Sequence, residues 1–80
     1  MRVLVTGGYG FLGAWIARDL LDRGHEPVLF DLASNPRRLE MVLSAREIGA
    51  LSFAQGDVAD CDRVVAACRE HSVGGIIHLA

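Results

Sequence analysis

Thr6-Gly7-Gly8-Tyr9-Gly10-Phe11-Leu12-Gly13 places four glycines directly after the apolar run Val3-Leu4-Val5. After them Ala17, Leu20 and Leu21 recur at three- and four-residue spacing from Gly13. The uninterrupted apolar run predicts a strand over Arg2 to Thr6 that is covered on both faces, and hence central. The spacing that follows predicts a helix from about Gly10 to Arg23, with Asp19, Asp22 and Arg23 outward and Gly24 as its stop. Gly8, Gly10 and Gly13 fit the G-x-G-x-x-G spacing, while Gly7, Gly10 and Gly13 fit G-x-x-G-x-x-G, and both stay open. The physics is shared. One glycine permits a tight turn, a second lets backbone approach a pyrophosphate, and the third lets the helix pack closely on the sheet. Unsatisfied N–H groups at the helix start then face the phosphates, with the helix dipole adding about 0.3–1 kcal/mol.

Working outward, apolar runs and helical patterns alternate along all 80 residues, the pattern of β-α-β units around a parallel sheet. A second strand is expected over Glu26 to Asp31, with Pro27 confined to its beginning because proline removes a ladder donor. Asn35 as cap and Pro36 at the first helical position predict a second helix with Leu39, Val42, Leu43 and Ile48 buried, closed by Gly49. Leu51 to Gln55 reads as a half-exposed edge strand, with Leu51 and Phe53 alternating with Ser52 and Ala54. Asp60 is expected to cap a third helix carrying Val64, Val65 and Cys68, and Ile76 to Ala80 forms a fourth strand. The fold class is therefore α/β, a Rossmann-type parallel sheet in the order 3-2-1-4 with right-handed crossovers and helices on both faces. The chain reads as one partial domain, 1–80, stopping where such a fold is expected to continue. That leaves the fourth strand's outer edge unpaired and predicts self-association through it.

Composition narrows the classes. With 51% hydrophobic and 22% charged residues the chain has the apolar surface for a core and too much for disorder. A net charge of −2 gives no basic footprint for nucleic acid. No stretch approaches the roughly 20 apolar residues of a membrane span, and nothing at the N-terminus resembles a signal sequence. Cys61 and Cys68 have neither metal-ligand spacing nor a histidine partner, so no metal site is expected and both read as small buried hydrophobes in a reduced, cytoplasmic setting. His25 and His71 read as solvated residues beside helix ends, and Trp15 as a packing residue.

Asp31 follows Gly13 by 18 residues and ends the second strand. A carboxylate there can accept both hydroxyls of an adenosine ribose, and it repels a 2′-phosphate, favouring NAD over NADP. Arg37 and Arg38 weigh the other way, because an arginine just beyond this strand can neutralise that phosphate. An S-adenosylmethionine methyltransferase shares a glycine loop and a strand-end acid, but leaves Gly56-Asp57-Val58 and Ile77-His78-Leu79-Ala80 unexplained.

Those two segments, with Thr6 to Gly13 and Asp31, resemble the extended short-chain dehydrogenase/reductases, among them NAD-dependent sugar-nucleotide epimerases and dehydratases. The resemblance spans the whole chain. It implies that Gly7, Gly10, Phe11, Leu12 and Gly13 cradle the phosphates and Asp31 holds the ribose. It further implies that Asp57 and the backbone of Val58 contact the adenine, and that Leu79 and Ala80 lie against the cofactor. His78 is mostly structural in that family. Gly74-Gly75 departs from its pattern, which usually has acidic and bulkier residues there. The family moves its proton with the tyrosine of a Y-x-x-x-K motif. All eight basic residues here are arginine, and the one tyrosine, Tyr9, lies in the glycine turn, so these residues contain no such pair and no catalytic residue is expected among them. The resemblance implies the dinucleotide-binding segment of an epimerase, dehydratase or reductase acting on a sugar nucleotide or related substrate; a non-catalytic NAD(P)-binding or sensing module is the alternative.

Overall fold

A computed structural model describes residues 1–79; Ala80, expected to touch the cofactor, lies outside the described residues. Strands β1 (Arg2–Thr6), β2 (Glu26–Asp31), β3 (Ser52–Gln55) and β4 (Gly75–His78) form one sheet in the order β3-β2-β1-β4. All three pairings are parallel, as expected. β3 joins β2 only from Val28 onward, one residue past Pro27. β4 starts and ends earlier than expected: Gly75 lies beside Val3, and Gly74 donates its N–H to the Arg2 carbonyl.

Helices cover both faces. On one, helix α1 (Phe11–Asp22) buries Gly13, Ala14, Ala17 and Leu20 over Val3, Val5 and Leu29. On the other, helix α3 (Cys61–Glu70) lays Ala67 over Leu4, Val28, Phe30 and Ala54, with Val64 and Cys68 half-buried beside them. Asp60 caps α3 as expected, its side chain accepting from the Arg63 N–H.

The expected second helix is broken. Asn35 Oδ1 accepts from Arg37 N–H, two residues on (3.1 Å), a local turn that competes with helical bonding. A single 3₁₀ turn, Leu39–Met41, follows and ends at Val42. A new helix, α2 (Ala45–Ala50), starts at a reciprocal capping box between Ser44 and Glu47. Gly49 sits inside α2 and does not close it, while Leu51 is its cap and lies outside β3. Leu39 and Leu43 are still buried and Val42 and Ile48 pack against the same core, so two short pieces deliver the expected apolar stripe. Arg18 of α1 ties α2 down through Glu47 (2.7 Å). The Ser44 backbone N–H first, and then Arg18, hold the Glu47 carboxyl below its usual range.

Other expectations are corrected by burial. Ala54, read as exposed, is 3% exposed because β3 is covered on both faces, while Phe53 is only half-buried. Trp15 is 54% exposed, since a helix that buries positions 13, 14, 17 and 20 turns position 15 away. Cys61, at the first position of α3, is exposed and only Cys68 meets the core. Val65 faces solvent. His25 and His71 are half-buried, and His25 Nδ1 lies 3.0 Å from the terminal amine.

Two helix ends reverse by different residues. Gly24 follows α1 at φ +81°, and Ser72 follows α3 at φ +52°, a left-handed conformation that strains a side-chain-bearing residue. Gly24→Ala should therefore lower stability by about 1 kcal/mol and Ser72→Gly raise it by up to about 1 kcal/mol, opposite shifts in the urea-unfolding midpoint.

Candidate functional site

The β1–α1 turn is pinned to the strand beside it. Gly7 and Gly8 both direct their N–H groups at the Phe30 carbonyl of β2 (2.8 and 3.4 Å), and Gly10 N–H closes the turn on the Gly7 carbonyl (3.0 Å). Gly7 adopts φ +71°, which favours glycine. Gly8 is buried, and a Cβ there would stand 2.8 Å from Leu29 Cβ. At Gly13 a Cβ would stand 2.6 Å from the Gly8 carbonyl oxygen and 2.8 Å from that of Gly7. The third glycine thus packs the helix on its own loop, where packing on the sheet was expected. Both glycine spacings are used, and Gly8 belongs with the other three.

Gly10 caps α1 without a side-chain hydrogen bond, and the first turn holds no acidic residue. The N–H groups of Phe11, Leu12 and Gly13 have no carbonyl a turn earlier in the helix, so they are available to an anion. Phe11 and Leu12 contribute backbone only, because their side chains point to solvent, 58% and 60% exposed.

Asp31 stands at the C-terminal end of β2, half-buried, with a backbone N–H on each carboxylate oxygen: Tyr9 on Oδ2 (3.2 Å) and Leu32 on Oδ1 (2.8 Å). Each oxygen keeps lone-pair capacity for a ligand hydroxyl. The carboxylate borders an open cavity of about 380 Å³ lined also by Tyr9, Gly10, Asn35, Arg37 and Arg38. Among the described residues neither arginine is in an ion pair. On its other side Asp31 borders a smaller cleft of about 80 Å³ with Gly7, Gly56, Asp57 and Val58. Gly56 N–H donates to the Asp31 carbonyl (3.0 Å), and Asp57 Oδ1 accepts from Ala59 N–H (2.9 Å). A Cβ on Gly56 would stand 2.7 Å from the Phe30 ring and 2.6 Å from Arg63 Cγ, so this loop also needs its glycine.

Gly7, Gly10, Phe11, Leu12, Gly13, Asp31, Asp57 and Val58 therefore converge at the C-terminal edge of the sheet. Leu79 does not line either cleft. It is half-buried beside the α1 core and its N–H reaches the Thr6 carbonyl (3.2 Å) and Thr6 Oγ1 (3.1 Å). Thr6 Oγ1 also lies 2.7 Å from His78 Nδ1, tying β1 to β4. The contribution of Tyr9 was missed: its N–H orients Asp31, and its ring meets that of Phe53 edge-on, centroids 5.1 Å apart. Burial first, and then the Asp31 carboxylate, push the Tyr9 phenol above its usual value.

The family model of GDP-mannose 4,6 dehydratase matches residues 4–80. The chain belongs to this family. UDP-glucose 4-epimerase of Klebsiella pneumoniae is 36% identical to it over 81 residues, covering 100% of this chain and 58% of that protein. A Mycobacterium tuberculosis protein, 3 beta-hydroxysteroid dehydrogenase/Delta 5-->4-isomerase, is 42% identical over 79 residues, covering 99% of this chain and 19% of that protein. UDP-glucose-4-epimerase of Stenotrophomonas maltophila, crystallised with NAD and formylated UDP-arabinopyranose, superimposes with a TM-score of 0.81 at 35% identity. It matches 100% of this chain and 24% of its own. The likeness to extended short-chain dehydrogenase/reductases thus holds in sequence and in fold, and the chain spans 58% or less of the length of each of these relatives. Among the described residues no helix is long and apolar enough to cross a membrane.

Because the Gly13 contact is backbone against backbone, it cannot yield by a rotamer change. Gly13→Ala is expected to cost about 1–3 kcal/mol in urea unfolding, whereas Gly49→Ala, with open space around its site, should be neutral or stabilising.

Proposed function

We propose that this chain binds the adenosine diphosphate half of NAD, as the cofactor-holding portion of an epimerase, dehydratase or reductase acting on a sugar nucleotide or a related substrate. The observation that carries this is Asp31: a carboxylate oriented by two backbone N–H groups, beside the glycine turn and bordering two clefts. The glycine turn and the uncapped start of α1 offer the pyrophosphate a concave, positive surface that any Cβ at Gly13 would disrupt. In this reading Asp31 accepts the ribose hydroxyls, and Asp57 and Val58 border the adenine. Leu79, away from both clefts, and Ala80 remain contacts proposed from the family resemblance alone. When bound, the cofactor supplies a ring that accepts and returns a hydride. These 80 residues supply binding and orientation. They contain no lysine, and Tyr9 is in the glycine turn, so they hold no Y-x-x-x-K pair to move the accompanying proton.

A second reading, a non-catalytic NAD(P)-binding or sensing module, shares the same binding residues and differs only in the chemistry done on the bound cofactor. A cytoplasmic setting is proposed from the two free thiols, at home in a reducing compartment. Self-association is proposed along the outer edge of β4, which among the described residues pairs only with β1. Sedimentation should show a dimer whose population falls when Ile77→Pro interrupts that edge.

Calorimetric titration should give tighter binding of NAD than of NADP. Asp31→Ala should weaken NAD by about tenfold, the scale of a charge-assisted hydrogen bond, and narrow the gap between the two cofactors. Tighter binding of NADP by the unaltered protein would transfer the discriminating role to Arg37 and Arg38. With nucleotide sugars added, this chain should produce no reduced-cofactor absorbance above buffer, and turnover that survives repurification would overturn that part of the reading.

A further inference from the structure

Cofactor binding as proposed leaves the Tyr9 ring without a task, although nothing in a glycine turn requires an aromatic residue. Between Gly8 and Gly10 the backbone has few side-chain constraints of its own. Backbone bonds of Gly7, Gly8 and Gly10 hold the turn on either side of residue 9, and residue 9 adds an anchor of its own in its ring, which packs against the α1-side core and meets Phe53 of β3 at 5.1 Å and 84°. Phe53 is the register partner of Leu29, the residue on which Gly8 rests, so turn and aromatic pair share one platform spanning β2 and β3. The Tyr9 N–H, carried by that turn, holds Asp31 Oδ2.

We propose that Tyr9 and Phe53 form an aromatic latch that fixes the Asp31 carboxylate, making both of them positioning residues for the choice between NAD and NADP. Once released from the Tyr9 N–H, the carboxylate keeps only the Leu32 N–H on Oδ1 and can swing its other oxygen toward Arg37 or Arg38, which line the same cavity. Its charge is then neutralised, and the repulsion that disfavours a 2′-phosphate falls. The phenol stays protonated beside the carboxylate, burial and Asp31 both acting in that direction, so the ring adds no competing charge.

This inference rests on the cofactor reading above for its consequence, but the latch itself can be tested without any ligand. In amide hydrogen exchange on the unliganded protein, Phe53→Leu should lower protection of the Tyr9 amide by about tenfold while Gly7, bonded to the Phe30 carbonyl, keeps its protection. Unchanged Tyr9 protection overturns the latch whatever the cofactors do. In calorimetric titrations Tyr9→Phe should keep the NAD-to-NADP affinity ratio, since the ring remains. Tyr9→Ala and Phe53→Leu should narrow it by about tenfold, the effect of one charge-assisted hydrogen bond lost. Variants that unfold at the urea midpoint of the parent protein and retain its ratio overturn the positioning role. A parent protein that binds neither dinucleotide overturns the cofactor reading instead, with the exchange result still standing.

Discussion

At the start of α1 two stretches of backbone come closer than any side chain allows. Gly13 lies over the carbonyls of Gly7 and Gly8, and Gly8 lies against Leu29. The helix therefore leaves the sheet at a point where its first N–H groups face outward over the C-terminal edge. Two hydrogen bonds into the Phe30 carbonyl hold the turn to β2, so the end of that strand, Asp31, comes within reach of the Tyr9 N–H. In the proposed reading, the phosphate surface and the ribose acceptor are both placed by this one closely packed turn.

Phe30 joins this arrangement to the opposite face. Its carbonyl serves the glycine turn, while its fully buried side chain packs with Leu4, Val28, Ala54 and Ala67 under α3. The ring edge also crowds Gly56, whose missing Cβ lets the stem of Arg63 pass as its Nε donates to the Gln55 carbonyl (2.7 Å). A single strand residue thus shapes both loops that flank Asp31. The Gly7, Asp57 and Val58 cleft is a consequence of packing on both faces of the sheet, as expected where a parallel sheet is covered by helices on each side.

In the proposed reading, selection between NAD and NADP is a question of where one negative charge is held relative to two positive ones. Asp31 is tied to backbone on both oxygens, whereas Arg37 and Arg38 sit in a segment of turns with no α-helix to stiffen it. A carboxylate with a fixed position discriminates by repulsion at all times. Exposed arginines must be ordered to act and lose side-chain entropy when they do. Under the proposed cofactor reading, the rigidity of the acid relative to the arginines is the physical basis for favouring the dinucleotide without a 2′-phosphate.

The glycine turn, α1, β2 and the capped start of α3 were legible in the sequence, because each depends on local chemistry: apolar runs, helical spacing, glycine where backbone must turn, Asp60 at a cap; parallel pairing and strand order followed from the β-α-β pattern those elements make. Asp57 was placed beside the cofactor by the family resemblance rather than by local pattern. The second helix was misread because Asn35 and Pro36 signal a start that Asn35 itself diverts into a local turn, and only the Ser44–Glu47 box, with Arg18 reaching across from α1, settles where the helix forms. Burial of Ala54, exposure of Trp15 and the bond between Thr6 and His78 depended on which neighbour lies opposite, a quantity that periodicity does not contain. The same holds for Tyr9. Sequence established a glycine turn able to face a phosphate, but whether the side chain inside it faces solvent or locks against Phe53 was decided by the distance between two strands, which only the folded sheet sets.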